Sequence, residues 1–258
     1  MTILLATAAA TFLAFTALWG LSLRLRDASI IDIYWGPGFA VIACIALMLS
    51  GKSDSFTLLF MAALTLWSLR LGWHILRRHR GEDARYRAMR EAHGAAFGQK
   101  SLWMIFWLQA LIQWLASSPV LTVALATSPL WTADGSTLAL ALFAHGFALF
   151  VIGFALEAWA DWSMERFKAD PANRGKLLMS GLHAHIRHPN YLGEIILQAG
   201  FGLMAFALTR NPLAFFGPAL MAVLIIKLSG VPMLEAQLAK RPDFAAWKAR
   251  SGALWWKL

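Results

Sequence analysis

The dominant pattern along the chain is long apolar stretches alternating with short polar ones. A bilayer core takes about 20 largely apolar helical residues to cross. Seven stretches approach that length, running Ile3–Leu23, Ile31–Leu49, Phe56–Ile75, Leu102–Thr122, Leu138–Trp159, Tyr191–Leu208 and Leu213–Leu228. The third and fourth carry interior polar residues, Arg70, Gln109 and Gln113. The pattern predicts an all-α integral membrane protein with about seven transmembrane helices. No soluble domain, repeat or low-complexity tract is left over, so residues 1–258 read as a single transmembrane domain. Met1 to Leu23 lacks a basic leading region and a cleavage site before polar sequence, and reads as a retained first helix.

Composition agrees with the pattern. Hydrophobic residues make up 59% and charged residues 14% of the 258, with mean hydropathy +0.58. A soluble domain carries about 25% charged residues, so a water-facing surface is excluded. One cysteine, Cys44 in an apolar run, excludes a disulfide framework.

The formal charge of +9 is distributed by side. Arg24 and Arg26 follow span one, but only Lys52 follows span two. Arg77, Arg78, Arg80, Arg85, Arg87, Arg90 and Lys100 follow span three, whereas Ser128–Thr137 has no base and one acid, Asp134. Arg166, Lys168, Arg174, Lys176 and Arg187 follow span five, and Arg210 alone follows span six. The tail carries Lys240, Arg241, Lys248, Arg250 and Lys257. The positive-inside rule then predicts the N-terminus outside and the C-terminus cytoplasmic. The bases read as topology signals and as sites for anionic headgroups or ligands, not as a nucleic-acid surface. The polar segments Arg77–Lys100, Asp161–Pro189 and Gly230–Leu258 all fall on the inward side, where any active surface is expected.

Four constellations are candidates for chemistry. Ser180–Glu194 packs His183, His185, Arg187, His188, Asn190, Tyr191 and Glu194 into the mouth of span six. Pro189 suits a first helical turn, and Asn190 and Glu194 then share a face. A carboxylate at that depth needs a partner or ligand, which a plain basic anchor does not. The three His also admit a metal reading, but their loop spacing specifies no ligand geometry, and none is assigned. Glu157, Asp161 and Glu165 form an acidic stripe at i, i+4, followed by Arg166 and Lys168. A solvated helix end explains Glu165 as well as a site does. It explains Glu157 poorly, since the apolar run places that residue within the membrane. Arg70 is mid-span and calls for a carboxylate such as Asp32 or Glu157, or for an anionic ligand. Arg77, Arg78 and Arg80 form a rim suited to phosphates, or simply a topology signal. Asp32 precedes Gly36-Pro37-Gly38, which would loosen or kink span two beside a carboxylate. An early-turn helix charge is the plainer reading of Asp32.

The segment Gly181-Leu-His-Ala-His-Ile-Arg-His-Pro-Asn-Tyr-Leu-Gly-Glu194 resembles the signature of the steroid 5-alpha-reductase C-terminal-domain family. Asp32–Phe39, Arg70 to Tyr86 and Gly230–Glu235 are similar to its bacterial branch of unassigned function, so the resemblance covers most of the chain. The Arg-His-Pro-Asn-Tyr core also resembles isoprenylcysteine carboxyl methyltransferases and phospholipid methyltransferases, where it helps hold S-adenosylmethionine. The reductase resemblance implies a seven-helix protein of the bacterial inner membrane that binds NADPH from the cytosol. It implies reduction of a double bond conjugated to a ketone in a lipophilic substrate entering from the bilayer. It carries over Asn190 and Glu194 to the nicotinamide half, Asp161 and Lys168 to the cofactor, and Arg80 to the phosphates. Arg187, His188, Tyr191 and Glu235 join this set through the motifs, and Arg70, Arg77 and Glu157 through their charge and depth. Where steroid enzymes have a Gln-Glu pair on the second helix, Tyr34 and Trp35 stand, and Trp67 falls near their third-helix Tyr. Tyr34, oriented by Asp32, is then the candidate donor to the ketone, with Glu194 the third catalytic candidate. The competing readings are a methyltransferase using S-adenosylmethionine and a transporter or lipid-binding protein lined by Arg70, Glu157 and Asp32. No feature of the sequence specifies an oligomeric state.

Overall fold

The computed structural model of the chain describes residues 1–127 and 136–255. Asp134, most of the Ser128–Thr137 connection and Lys257 lie outside the described residues. The protein is an all-α integral membrane protein, with no strand among the described residues. Six of its helices are long and apolar enough to cross a membrane, and a seventh span is present if one bent pair is counted as one. The chain divides into two compact units, although the sequence reads as one domain: residues 1–136 with 205–216, and residues 137–204 with 217–258.

In the first unit, helices α1 (Thr2–Leu25), α2 (Ile30–Ser50) and α3 (Ser55–Arg78) match the first three apolar runs, extended by one to three residues at most ends. Asp54 begins α3 by accepting a hydrogen bond from the Thr57 N–H at 2.9 Å. The Gly36-Pro37-Gly38 segment does not interrupt α2, which continues through Pro37. The glycines instead admit neighbouring helices. A Cβ on Gly36 would lie 2.4 Å from the Ser68 carbonyl oxygen, and one on Gly72 would lie 2.5 Å from the Pro37 ring. Small residues at such crossings let backbones meet where lipid provides no hydrophobic drive. α1 is tied by polar bonds: Trp107 and Trp114 donate to Thr16 and Thr7, at 3.0 and 3.1 Å.

The fourth span is not one straight helix. α4 (Ala84–His93) leads through a short turn into α5 (Phe97–Ser101), a wide π-type turn at Leu102–Trp107, and α6 (Leu108–Ala116). α7 (Ser118–Leu125) then departs by 51°. The break sits at Ser117 and Ser118, ahead of Pro119, whose missing N–H and ring favour the start of a helix over its interior.

In the second unit, α8 (Ser136–Ala169) and α9 (Pro189–Thr209) are joined by the polar segment that carries the His cluster. α8 runs ten residues past the expected end at Trp159, so the acidic stripe is helical throughout. α8 and α9 cross along two glycine pairs at seven-residue spacing. A Cβ on Gly193 would lie 2.7 Å from the Gly153 carbonyl oxygen and 2.6 Å from the Glu157 nitrogen. One on Gly200 would lie 2.6 Å from the Gly146 carbonyl oxygen. Residue numbers rise along α8 as they fall along α9, so the helices are antiparallel. α10 (Phe216–Val223), a wide turn at Leu224–Leu228, α11 (Val231–Leu238) and α12 (Phe244–Arg250) complete the unit.

Candidate functional site

The seam between α8 and α9 sets the position of the buried polar residues in the second unit. Backbone contact at Gly193 brings the chain at Glu157 against the turn that carries Glu194. Glu157, Asp161 and Glu194 are all buried. Glu194 Oε1 accepts from Gln198 Nε2 at 2.9 Å, one turn further along α9. Asn190 begins the same face, half-buried, and its carboxamide has no hydrogen bond among the described residues. The face therefore runs from a free amide, through a carboxylate, to the amide that steadies it.

The loop before α9 is held by the C-terminal tail. Arg187 and His188 donate their backbone N–H groups to the carbonyls of Gly252 and Ala253, at 2.9 and 3.0 Å, and Gly252 donates to His185. Trp247 Nε1 donates to the His183 carbonyl at 2.9 Å. Glu235 gathers the side chains. Its Oε1 accepts from Arg187 Nε and Nη2 at 2.8 and 2.6 Å, and its Oε2 lies 2.8 Å from Lys248 Nζ. Arg187 Nη1 also donates to the Ser251 carbonyl. Arg187 is thus committed to a buried ion pair, the kind of pair that is costly to break because each charge would be left desolvated.

His188 is buried beside this network, and its Nε2 makes no hydrogen bond, with Glu235 Oε1 3.5 Å away. Burial pushes its pKa down to about 4 against the opposing pull of Glu235, so the ring is neutral at pH 7. Burial lowers the pKa of His183 in the same way. The ordinary pKa of His188, 6.5, is that of the unfolded chain, which below that pH binds a proton the folded state refuses. Stability contributed by neutral His188 is therefore complete above pH 6.5 and is lost as pH falls towards 4, by on the order of 3 kcal/mol. We expect thermal unfolding in detergent to shift down across that window, and the shift to shrink in His188→Gln.

In the first unit, Asp32 Oδ1 accepts from the Tyr86 hydroxyl at 2.7 Å and Oδ2 from Arg85 Nη2 at 3.1 Å. Gln109 Nε2 donates to the Tyr86 oxygen at 3.2 Å. This corrects two expectations. Asp32 does not orient Tyr34, and it is not the partner of Arg70. Arg85 and Tyr86 reach it first because α4 begins immediately after the loop that packs on residues 27–29. There Glu82 accepts from the Ala28 N–H at 2.9 Å and is clamped by Arg90, which lowers its pKa, and Asp27 pairs with His79 at 2.8 Å. The Tyr34 hydroxyl has no hydrogen-bond partner among the described residues, and its ring meets Phe15 edge-on at 5.6 Å. Arg70 and Pro37 line an open apolar groove of 1090 Å³ between α2 and α3, to which Asp32 does not contribute. Arg77 and Arg80 are exposed, and Arg80 bonds back to the carbonyls of Arg77 and His79.

Of the candidate residues, Glu157, Asp161, Lys168, Arg187, His188, Asn190, Tyr191, Glu194 and Glu235 belong to the second unit. Arg70, Arg77, Arg80, Asp32 and Tyr34 belong to the first. Lys168 is exposed, and Tyr191 is half-buried with its ring against His188. His183, His185 and His188 do not converge: His183 is buried against Trp159 and His185 is exposed. No group of three metal-ligating side chains occurs among the described residues. Sequence reasoning missed Tyr86, Gln198, Lys248 and Ser251. Gln198 is legible as the i+4 neighbour of Glu194. Tyr86 had a weak signal as one of only three tyrosines.

With the geometry defined, the chain can be compared with known proteins. A family described as "Protein of unknown function (DUF1295)" matches residues 18–251. The chain belongs to that family. A probable O-methyltransferase, ustE, of Ustilaginoidea virens is 38% identical over 71 residues, 28% of this chain. That match spans a quarter of the relative's length. No solved structure matches the chain.

Proposed function

We propose that this member of the family is a multi-pass enzyme of the cytoplasmic membrane, N-terminus outside, that reduces a lipophilic enone with NADPH. The observation that supports this reading is the Asn190–Glu194–Gln198 face. A carboxamide offers two donor hydrogens and an acceptor oxygen. The face presents a steadied carboxylate to accept and a free amide to do either. These residues suit a neutral ring that bears an amide, as the nicotinamide is.

NADPH supplies the hydride. The protein's part is to fix the carboxamide through Asn190 and Glu194 and to keep water out with the glycine-tight seam. Asp161, Glu157 and Lys168 are assigned to the remainder of the cofactor. Arg70, Arg77 and Arg80 belong to the first unit, where Arg77 and Arg80 form an exposed basic rim suited to phosphate groups. Reduction would place the cofactor's hydride on the β carbon and a proton from water on the α carbon, with a hydroxyl donor suited to the ketone oxygen. Within the first unit the Tyr34 hydroxyl is uncommitted and available as such a donor, whereas the Tyr86 proton is spent on Asp32. Asp32 acts on Tyr86 and Arg85 and has no direct part.

One observation favours a second reading, methyl transfer from S-adenosylmethionine: the relative's printed activity is O-methyl transfer. Its sulfonium accepts no hydrogen bond and favours carboxylates such as Glu157 and Asp161, while its amino, carboxylate and adenosine groups could also use Asn190. Turnover separates the two. With purified protein in detergent we expect NADPH oxidation that depends on an added lipophilic enone. Methylation of a lipophilic acceptor without any NADPH oxidation would overturn the proposal.

A further inference from the structure

α8 has a second functional face. Trp159, Trp162 and Arg166 lie on the side of the helix opposite Glu157 and Asp161, and Asp170 follows directly after its end. With Ser180 and His183 from the following segment they line a pocket of 410 Å³. That size is within the range of small-ligand sites. The pocket is lined by both polar and aromatic side chains, at the basic end of a membrane-spanning helix. Trp159 and Trp162 are each about half exposed, as interfacial tryptophans are.

The charges in this pocket are arranged unusually. Arg166 lies in the last turn of α8 and Asp170 immediately after its end, opposite charges lining the same pocket. Among the described residues they form no ion pair. Arg166 leans over the Trp162 ring at 5.4 Å, and Asp170 Oδ1 accepts from the Ala172 N–H at 2.9 Å. Trp159 is kept in place by stacking on His183, whose ring is buried. The Ser180 hydroxyl makes no cap bond. A cation and an anion that do not pair with each other therefore line one cavity, each with donor or acceptor capacity to spare.

We propose that this pocket binds the headgroup of a zwitterionic amine phospholipid. Arg166 and the Ser180 hydroxyl take the phosphate, Asp170 takes the primary ammonium, and Trp159 and Trp162 lie against the glycerol and first acyl carbons. Arg166 is pre-ordered for this role by its stacking on Trp162, and a guanidinium fork matches phosphate oxygens. An anionic lipid without an amine would satisfy Arg166 and meet Asp170 as a repulsive charge. The site is independent of the reductase reading, since it lies on the other face of α8 and uses none of those residues.

The test is native mass spectrometry of the delipidated full-length protein, titrated with dioleoylphosphatidylethanolamine, dioleoylphosphatidylglycerol and soluble O-phosphoethanolamine. We expect the ethanolamine lipid to bind about five-fold more tightly than the glycerol lipid, as one partly exposed charge pair provides. Asp170→Asn should erase that preference, and Arg166→Ala should weaken both lipids. Both residues are exposed, so neither change endangers the fold. Equal affinity for the two lipids would overturn the proposal, as would a preference that survives Asp170→Asn. Binding of O-phosphoethanolamine without the lipid would also overturn it, by identifying a soluble phosphate ester as the occupant.

Discussion

Glu194→Gln should reduce enone-dependent NADPH oxidation about 100-fold while leaving the protein folded and membrane-inserted. The substitution is isosteric, and the new carboxamide oxygen can still accept from Gln198, so helix α9 keeps its local bond. What changes is the second position of the group, which becomes a donor. Facing another carboxamide, a donor in place of an acceptor leaves two N–H groups opposed and desolvated. That loss is worth about 3 kcal/mol, or two orders of magnitude in kcat/KM. Unchanged turnover in this variant would remove Glu194 from the reaction. Loss of the folded protein would instead assign it a structural role, so thermal unfolding is measured on the same sample.

Gly193→Val should have the largest effect on stability. Its Cβ would meet the Glu157 nitrogen at 2.6 Å and the Gly153 carbonyl oxygen at 2.7 Å. Both are backbone atoms of a straight helix and cannot turn aside. The helices must separate, which forfeits the contact along the whole seam and costs at least about 3 kcal/mol. We expect the variant to be recovered in low yield or to unfold well below the wild type. Gly20→Ala provides the contrast, since nothing lies within 4 Å of the position and alanine is the better helix former. Equal stability of the two variants would contradict the close crossing of α8 and α9.

The spans were legible in the sequence because each is a long apolar run bounded by charge, which suffices without knowledge of its neighbours. The fourth was legible as a run but not as a bent one. Pro119 and the serines before it mark the break, yet a window of mean hydropathy averages over them. The i, i+4 acidic stripe is legible as helical, whereas the end of α8 lies ten residues beyond the apolar run because its last turns are polar.

The partners were much less legible than the spans. Asp32 reads in sequence as a neighbour of Tyr34, two residues away, but successive residues of a helix diverge. Its actual partners arrive from α4, 53 and 54 residues later. The same holds for Glu235, whose bonds to Arg187 and Lys248 join two polar segments. Gly36 and Gly38 read as sources of looseness and serve instead as close-packing surfaces, a distinction that depends on what lies opposite them.

The central claim is that the polar face of α9 in the second unit is built for the nicotinamide of NADPH. Isothermal titration of the purified protein with NADPH and, separately, with S-adenosylmethionine tests it most directly. We expect saturable binding of NADPH that is weakened in Asn190→Ala and in Glu194→Gln, with little or no binding of S-adenosylmethionine. Tight binding of S-adenosylmethionine alone would contradict it.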